Sequence, residues 1–328
     1  MSLIENSKEE KSLREKVKQL LSEGTVDVVI GYEQGSLPLT SRPLFMRSAD
    51  DVDRLIWNAL CSTNLAVYLP RMFQQSQPRV GIIAKGCDAR SIATLVCENQ
   101  IPRDKITIIG VSCRGVIDMH KVRSMLKAQN IAEIHKEEGE GVCIHTDSGT
   151  IIRVREEDLL SDACAQCVYP VAINPDIMME GKPQEPAQER YEQIEAFENK
   201  PIEERWEYFK KEMSKCIRCN ACRQACPNCY CTSCFADQTR PAWMGKGDNL
   251  SDIMSFHIGR IFHQAGRCVG CDACSRACPM GIDLRTFTSK IAKDIQELYG
   301  FTAGLSMDAT APLCTFAEDD SECFITEP

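Results

Sequence analysis

The sequence has no run of about 18 or more uncharged apolar residues, the length a helix needs to cross a bilayer. Its N-terminus, "MSLIENSKEEKSLREKVKQL", is charged where a secretion signal would carry its apolar centre. Both absences point to a cytoplasmic address. There is no surplus of positive charge: 38 Lys and Arg stand against 47 Asp and Glu, a net charge of -9. That argues against a nucleic-acid partner, since phosphate binding wants a basic face. GxGxxG is missing, and with it the standard dinucleotide fingerprint. We find no nucleophile paired with a base, and we name no catalytic residue. The 328 residues, 43% apolar, suffice for two domains with cores of their own. What the chain has in excess is cysteine, 20 in all. Stable disulfides are uncommon in the reducing cytoplasm, so these cysteines read as metal ligands and redox groups.

Seven of them fall in "CIRCNACRQACPNCYCTSCF", residues 216–235. The spacing CxxCxxCxxxCP occurs at Cys216, Cys219, Cys222, Cys226 and Pro227, and again at Cys268, Cys271, Cys274, Cys278 and Pro279. Three thiolates at two-residue gaps wrap one corner of an iron–sulfur cube, and the fourth, followed by a proline that turns the chain, reaches the other cluster. The implied sets are crossed: Cys216, Cys219, Cys222 and Cys278 for one cluster, and Cys268, Cys271, Cys274 and Cys226 for the other. CxxC pairs also hold zinc, but zinc sites do not use the fourth cysteine and its proline. The motif pair resembles the ferredoxins that carry two [4Fe-4S] clusters.

The segment between the motifs is too long for a compact ferredoxin. "NLSDIMSFHIGRIFHQAGR" places Leu250, Ile253, Met254, His257, Ile258, Ile261 and Phe262 on one helical stripe, with Ser251 as N-cap. Upstream, "PIEERWEYFKKEM" aligns Ile202, Trp206, Phe209 and Met213 behind Pro201, and downstream "LRTFTSKIAKDIQELYG" aligns Leu284, Phe287, Ile291, Ile295 and Leu298 up to Gly300. This resembles the all-α ferredoxin module of succinate dehydrogenase and heterodisulfide reductase subunits. Lys215, Arg218, Arg223, Arg267 and Arg276 sit among the ligands, either to offset cluster charge or as a solvated basic face. His257 and His263 read as packed side chains rather than ligands.

Residues 25–155 alternate differently. "TVDVVIGYE", "LAVYLP", "VGIIAKG" and "ITIIGVSC" read as strands, and "DVDRLIWNAL", "DARSIATLVCENQ" and "DMHKVRSMLKAQ" as helices. The expectation is an α/β domain with a mostly parallel sheet, followed by an all-α two-cluster ferredoxin domain. Ligands of such sheets bind at the carboxyl ends of the strands. Two of these ends, "AKGCDAR" and "GVSCRG", carry cysteine. In the first, a helix N-terminus with Lys85 and Arg90 beside it suits an anion.

"GYEQGSLPLTSRPLF", "WNALCSTNLAVYLP", "IIAKGCDARSIATLVCENQ", "IIGVSCRG" and "CAQCVYPVAINPDI" resemble the β-subunit family of the deazaflavin-reducing hydrogenases and methanogen formate dehydrogenases. The resemblance implies FAD, one [4Fe-4S] cluster and exchange with a soluble two-electron carrier, with ferredoxin, a nicotinamide or a deazaflavin as the candidate soluble partners. "AKGCDAR" differs from the TPCQxQ form of that family, which leaves the carrier open. We expect FAD at Lys85, Gly86, Asp88, Arg90 and Ser91 with Asn64, and a third [4Fe-4S] cluster on Cys87, Cys113, Cys164 and Cys167. Against that cluster stands a reading of buried free thiols. Cys229, Cys231 and Cys234 either hold a fourth cluster, with Cys314 or Cys61 as fourth ligand, or are packed thiols. Cys97 and Cys143 read as core and Cys323 as exposed.

The expected layout is an N-terminal helix to residue 24 with Leu13, Val17, Leu20 and Leu21 on one face, the α/β domain over 25–180, a linker over 181–200, the ferredoxin domain over 201–300, and an aperiodic tail that lies on the surface or reaches a neighbouring subunit. The function that follows is an electron-transfer subunit of a formate dehydrogenase, hydrogenase or heterodisulfide-reductase-type complex, with no membrane span. Two alternatives remain: a flavin-free, polyferredoxin-like wire and docking subunit, and a zinc-stabilised scaffold.

Overall fold

The computed structural model describes residues 7–126, 130–136 and 141–315. Helix α1 (Ser7–Ser22) buries Leu13, Val17 and Leu20 against its own domain. The sheet it covers has the order β2-β1-β3-β4-β8, built from β1 (Val28–Gln34), β2 (Ser41–Met46), β3 (Val80–Ala84), β4 (Ile106–Gly110) and β8 (Ile177–Met178). β1, β3, β4 and β8 run parallel, and β2 returns antiparallel on the edge of β1. Every residue of β3 is buried, as a parallel strand covered on both faces must be. Helix α3 (Gly86–Cys97) starts directly after β3.

Two sequence expectations are corrected here. "LAVYLP" is not a strand: the Asn64 side chain accepts from Ala66 N–H at 3.1 Å, and the chain turns into a short 3-10 stretch, Leu65–Tyr68, and then α2 (Leu69–Gln75), with Pro70 in its first turn. "DVDRLIWNAL" forms a 3-10 segment, Ala49–Arg54, rather than a full helix. A second sheet also went unread. Strands β5 (Ile131–Lys136), β6 (Gly141–Thr146) and β7 (Ile151–Arg155) form an antiparallel meander. Its buried Val142 and Ile144 share a small core with Leu159 and with Val122 and Leu126 of α4 (Met119–Leu126). Cys143 is buried on β6.

The second half is helical: α5 (Asp162–Ala165) belongs to the first half, and α6 (Glu192–Glu198), α7 (Ile202–Ser214), α8 (Ala221–Gln224), α9 (Leu250–His263), α10 (Ala273–Arg276) and α11 (Arg285–Tyr299) follow. Phe209, Met213, Ile253, Phe256, Ile261, Ile282 and Leu284 make its core. The N-cap of α9 is Asn249, which accepts from Asp252 N–H at 3.0 Å, and not Ser251. Gly300 closes α11 with φ 61°, a left-handed cap that favours glycine.

The expected linker is no loose tether. Gln184 donates from N to the Cys113 carbonyl at 3.0 Å and from Nε2 to the Cys164 carbonyl at 2.6 Å, and Ala187 N–H donates to the Cys167 carbonyl at 2.9 Å. The described part of the tail runs back along the first half, where the half-buried Cys97 thiol meets the carbonyls of Ser306 and Met307. Cys323 and the Cys314 side chain lie outside the described residues.

Candidate iron–sulfur centres

The two CxxCxxCxxxCP motifs fold alike. Arg218 (φ 55°) and Gly270 (φ 73°), then Asn220 (φ 60°) and Asp272 (φ 57°), take the left-handed conformation at equivalent positions, and each motif then makes one helical turn, α8 or α10. Arg218 N–H points at the Cys216 sulfur at 3.3 Å. Cys278 of the second motif lies near Cys216 and Cys222 of the first, while Cys226 of the first lies near Cys268, Cys271 and Cys274 of the second. The structure thus groups the thiols across the motifs.

In the first half, Cys87 stands in the first turn of α3, Cys113 follows β4, and Cys164 and Cys167 bracket the end of α5. All four line one cavity of about 40 Å³, and Cys271 of the ferredoxin half is in its wall with Lys85 and Arg276. Val116 N–H points at the Cys164 sulfur and Gly115 N–H at the Cys113 sulfur, each at 3.4 Å. Burial pushes the thiols of Cys113 and Cys271 up to about 12. Without a metal's charge they hold their protons, and ligation must release them. Four thiols around a cavity, with N–H donors on their sulfurs, suit a cubane cluster. Among the described residues no three His, Cys, Asp or Glu side chains converge on a single point as one ion requires.

The residues expected to hold a flavin at the β3 end are packed against one another. Lys85, Asp88, Arg90, Ser91 and Asn64 are all buried. Lys85 Nζ pairs with Asp88 at 2.9 Å, donates to the Thr63 carbonyl at 3.0 Å and bonds the Tyr32 hydroxyl. Asp88 in turn accepts from Lys85 N–H and Leu65 N–H, capping α3 itself. Asn64 donates to Ser91 Oγ at 3.0 Å. A Cβ on Gly86 would stand 1.8 Å from the Tyr169 carbonyl oxygen. Arg90 crosses to the other half, donating to the Val269 carbonyl at 2.8 Å and the Ala303 carbonyl at 2.7 Å. These side chains bind one another and the neighbouring half, so both cations, Lys85 and Arg90, are already engaged.

The basic residues expected near the clusters are mostly engaged. Arg276 donates to the carbonyls of Cys271 (2.8 Å) and Ser62 (2.9 Å), Arg267 pairs with Glu98 at 2.5 Å, Arg223 with Asp237 at 2.7 Å and Lys215 with Glu212 at 2.6 Å, and Arg218 donates to the Gly247 carbonyl at 2.6 Å. His257 puts Nε2 3.4 Å from the Cys216 sulfur, and burial holds its ring down at about 4. His263 meets Phe235 edge to face, with centroids 4.5 Å apart. Sequence reasoning missed Arg260, which is buried on α9 and donates to the Cys222 carbonyl at 3.0 Å. The one signal was its spacing, three residues after His257 on the same helix. Cys61 lies in the core of the first half, its thiol pushed up to about 12 by burial, and is removed as a partner for Cys229, Cys231 and Cys234.

Residues 212–296 match the 4Fe-4S dicluster domain. The class is therefore that of iron–sulfur proteins with a helical dicluster half. More particularly, the chain is related over nearly its whole length to β subunits of formate dehydrogenases. It is 24% identical to the F420-dependent formate dehydrogenase subunit beta of Methanocaldococcus jannaschii, over 88% of this chain and 90% of that one. It is 23% identical to the F420-dependent formate dehydrogenase 1 subunit beta of Methanococcus maripaludis, over 90% and 91%. A chain of the F420-reducing [NiFe] hydrogenase complex from Methanosarcina barkeri aligns with 65% of this chain and 90% of its own at 13% identity and TM-score 0.38, too loose a likeness to argue from.

Proposed function

We propose that this chain is an electron-transfer subunit of an oxidoreductase complex of the formate dehydrogenase kind, passing single electrons between a two-electron carrier and clusters of a partner subunit. The observation that carries it is the shared wall: Cys271 of the second ferredoxin motif lines the same cavity as Cys87, Cys113, Cys164 and Cys167. A third cluster held there adjoins the second, so an electron entering the α/β half has a neighbouring acceptor in the helical half. No helix among the described residues is long and apolar enough to cross a membrane.

An FAD would supply the exchange between electron pairs and single electrons. In our reading it belongs elsewhere than the Lys85–Ser91 turn, whose groups are engaged with each other. That engagement favours, as the second reading, a flavin-free wire. Because both curated relatives are named for F420, a deazaflavin is the first carrier to assay, before a nicotinamide or ferredoxin. The test is Cys164→Ala with Cys167→Ala in anaerobically purified full-length protein. About four irons should disappear, the ferredoxin signals should remain, and reduction of the ferredoxin half by reduced carrier should stop. Unchanged iron with unimpaired reduction would defeat the proposal. Flavin released by acid, read by its absorbance and fluorescence, decides between the flavoprotein and the bare wire.

A further inference from the structure

Of the eight cysteines outside the crossed sets and the third site, three lie close together in the chain: Cys229, Cys231 and Cys234. They line one cavity of about 150 Å³ on the ferredoxin half. Two of these thiols have a donor or cation against them. Gln264 donates from Nε2 to the Cys229 sulfur at 3.3 Å, and the Arg223 guanidinium bonds the Cys234 thiol. Four arginines line the cavity, Arg71, Arg223, Arg260 and Arg267, of which Arg223 is paired with Asp237 and Arg267 with Glu98.

Arg260 is the telling residue. It is 3% exposed, and its guanidinium lies against the Cys229 thiol. Nη2 has the Cys222 carbonyl, while Nε and Nη1 make no hydrogen bond of ordinary geometry. A buried cation with idle N–H groups is costly unless an anion faces it. The cavity is where such an anion fits. It is also roughly tenfold larger than the 10–15 Å³ or so that one water-sized particle needs, so it does not suit a lone ion. Finally, it adjoins the second ligand set: the free thiols of Cys226 and Cys229 share a hydrogen bond, and Gln264 spans them, with Oε1 3.5 Å from the Cys226 sulfur.

We propose that Cys229, Cys231 and Cys234 hold a fourth cubane iron–sulfur cluster, three-thiolate and with one iron left to a non-cysteine ligand, for which Arg260 is the buried counter-charge. It rests on the iron–sulfur reading of the two ferredoxin motifs. Cys231 is exposed, so the cluster sits at the surface, where it can receive one electron from the second cluster and release one electron to a partner's cluster.

The test is iron, acid-labile sulfide and zinc analysis of anaerobically reconstituted full-length protein, with electron paramagnetic resonance of the reduced state. About sixteen irons are expected with all four sites filled. Cys231→Ser with Cys234→Ser should remove about four of them and one reduced-state signal, and a different four should go in the Cys164→Ala, Cys167→Ala protein, so the two proposals fail separately. An unchanged iron count in the Cys231, Cys234 variant overturns the fourth cluster, as does loss there of about one zinc instead of iron. Should that variant lose all its iron, the exposed single replacement Cys231→Ser decides. A changed signal supports the cluster, and a spectrum and iron count identical to the parent protein overturn it. Arg260→Met should shift the midpoint potential of this signal downward, and an unshifted potential removes Arg260 from its role.

Discussion

Arg90→Met cuts one of the contacts that join the two halves. The guanidinium makes three N–H contacts to two carbonyls: Nη1 to Val269 at 2.8 Å, and Nη2 and Nε to Ala303 at 2.7 and 3.2 Å. It also lies 4.5 Å from the Tyr169 ring centroid. Burial lowers its pKa to about 10, which still leaves a cation at neutral pH. Charge-assisted bonds contribute roughly 1.5 to 3 kcal/mol each, and stranding two buried carbonyls costs about 1 to 3 kcal/mol apiece. Releasing the guanidinium from its own buried position offsets part of that. The net loss should be about 3 to 5 kcal/mol. With a urea dependence near 3 kcal/mol per M, the unfolding midpoint should fall by roughly 1 to 1.7 M. The assay is anaerobic urea unfolding followed by tryptophan fluorescence, Trp57 reporting from the core of the α/β half. Arg90→Lys keeps the charge without the fork and should recover about half the loss. An unchanged midpoint in Arg90→Met, together with lower flavin content, would refute the bridging role and return Arg90 to a flavin site.

Two further outcomes are expected. Cys226→Ser should damage the cluster on Cys268, Cys271 and Cys274 and spare the one on Cys216, Cys219 and Cys222; magnetic resonance showing the reverse would contradict the crossed sets. Gly86→Ala puts a methyl group 1.8 Å from the Tyr169 carbonyl oxygen, so either α3 or the Cys167–Pro170 loop must move. It should cost more than about 2 kcal/mol and about four irons from the third site, and a variant with full iron and parental stability would show that the turn can relax.

The helical half was legible because its signals are local. Thiol spacing is read along the chain, and the stripes of α7, α9 and α11 repeat at helical period. The parallel strands β3 and β4 declared themselves as continuous apolar runs. What could not be read depended on distant partners. The apolar letters of "LAVYLP" match a strand, but Asn64 and Pro70 start helical turns there. Lys85 and Arg90 look like an anion cradle in sequence because nothing local says that Asp88, Thr63 and residues more than 170 positions away will use their charges. Arg260 hid for the same reason: on a helix bearing apolar residues, an arginine reads as the wet face until the thiols packed around it are known.

The Arg90 contact with Ala303 spans 213 residues of chain. At a synthesis rate of about 5 to 20 residues per second, Arg90 leaves the ribosome roughly 10 to 40 s before its acceptor is made. For most of that interval, until Val269 is made, the α/β half exists with a guanidinium that has neither of its carbonyls to meet, and the loops of Cys87, Cys113 and Cys164 lack the second motif that shares their cavity wall. Ala303, made 213 residues after Arg90, acts as the closing stitch. Iron and sulfide for the inner site have an entry period that opens with the first domain and ends when the tail lies down.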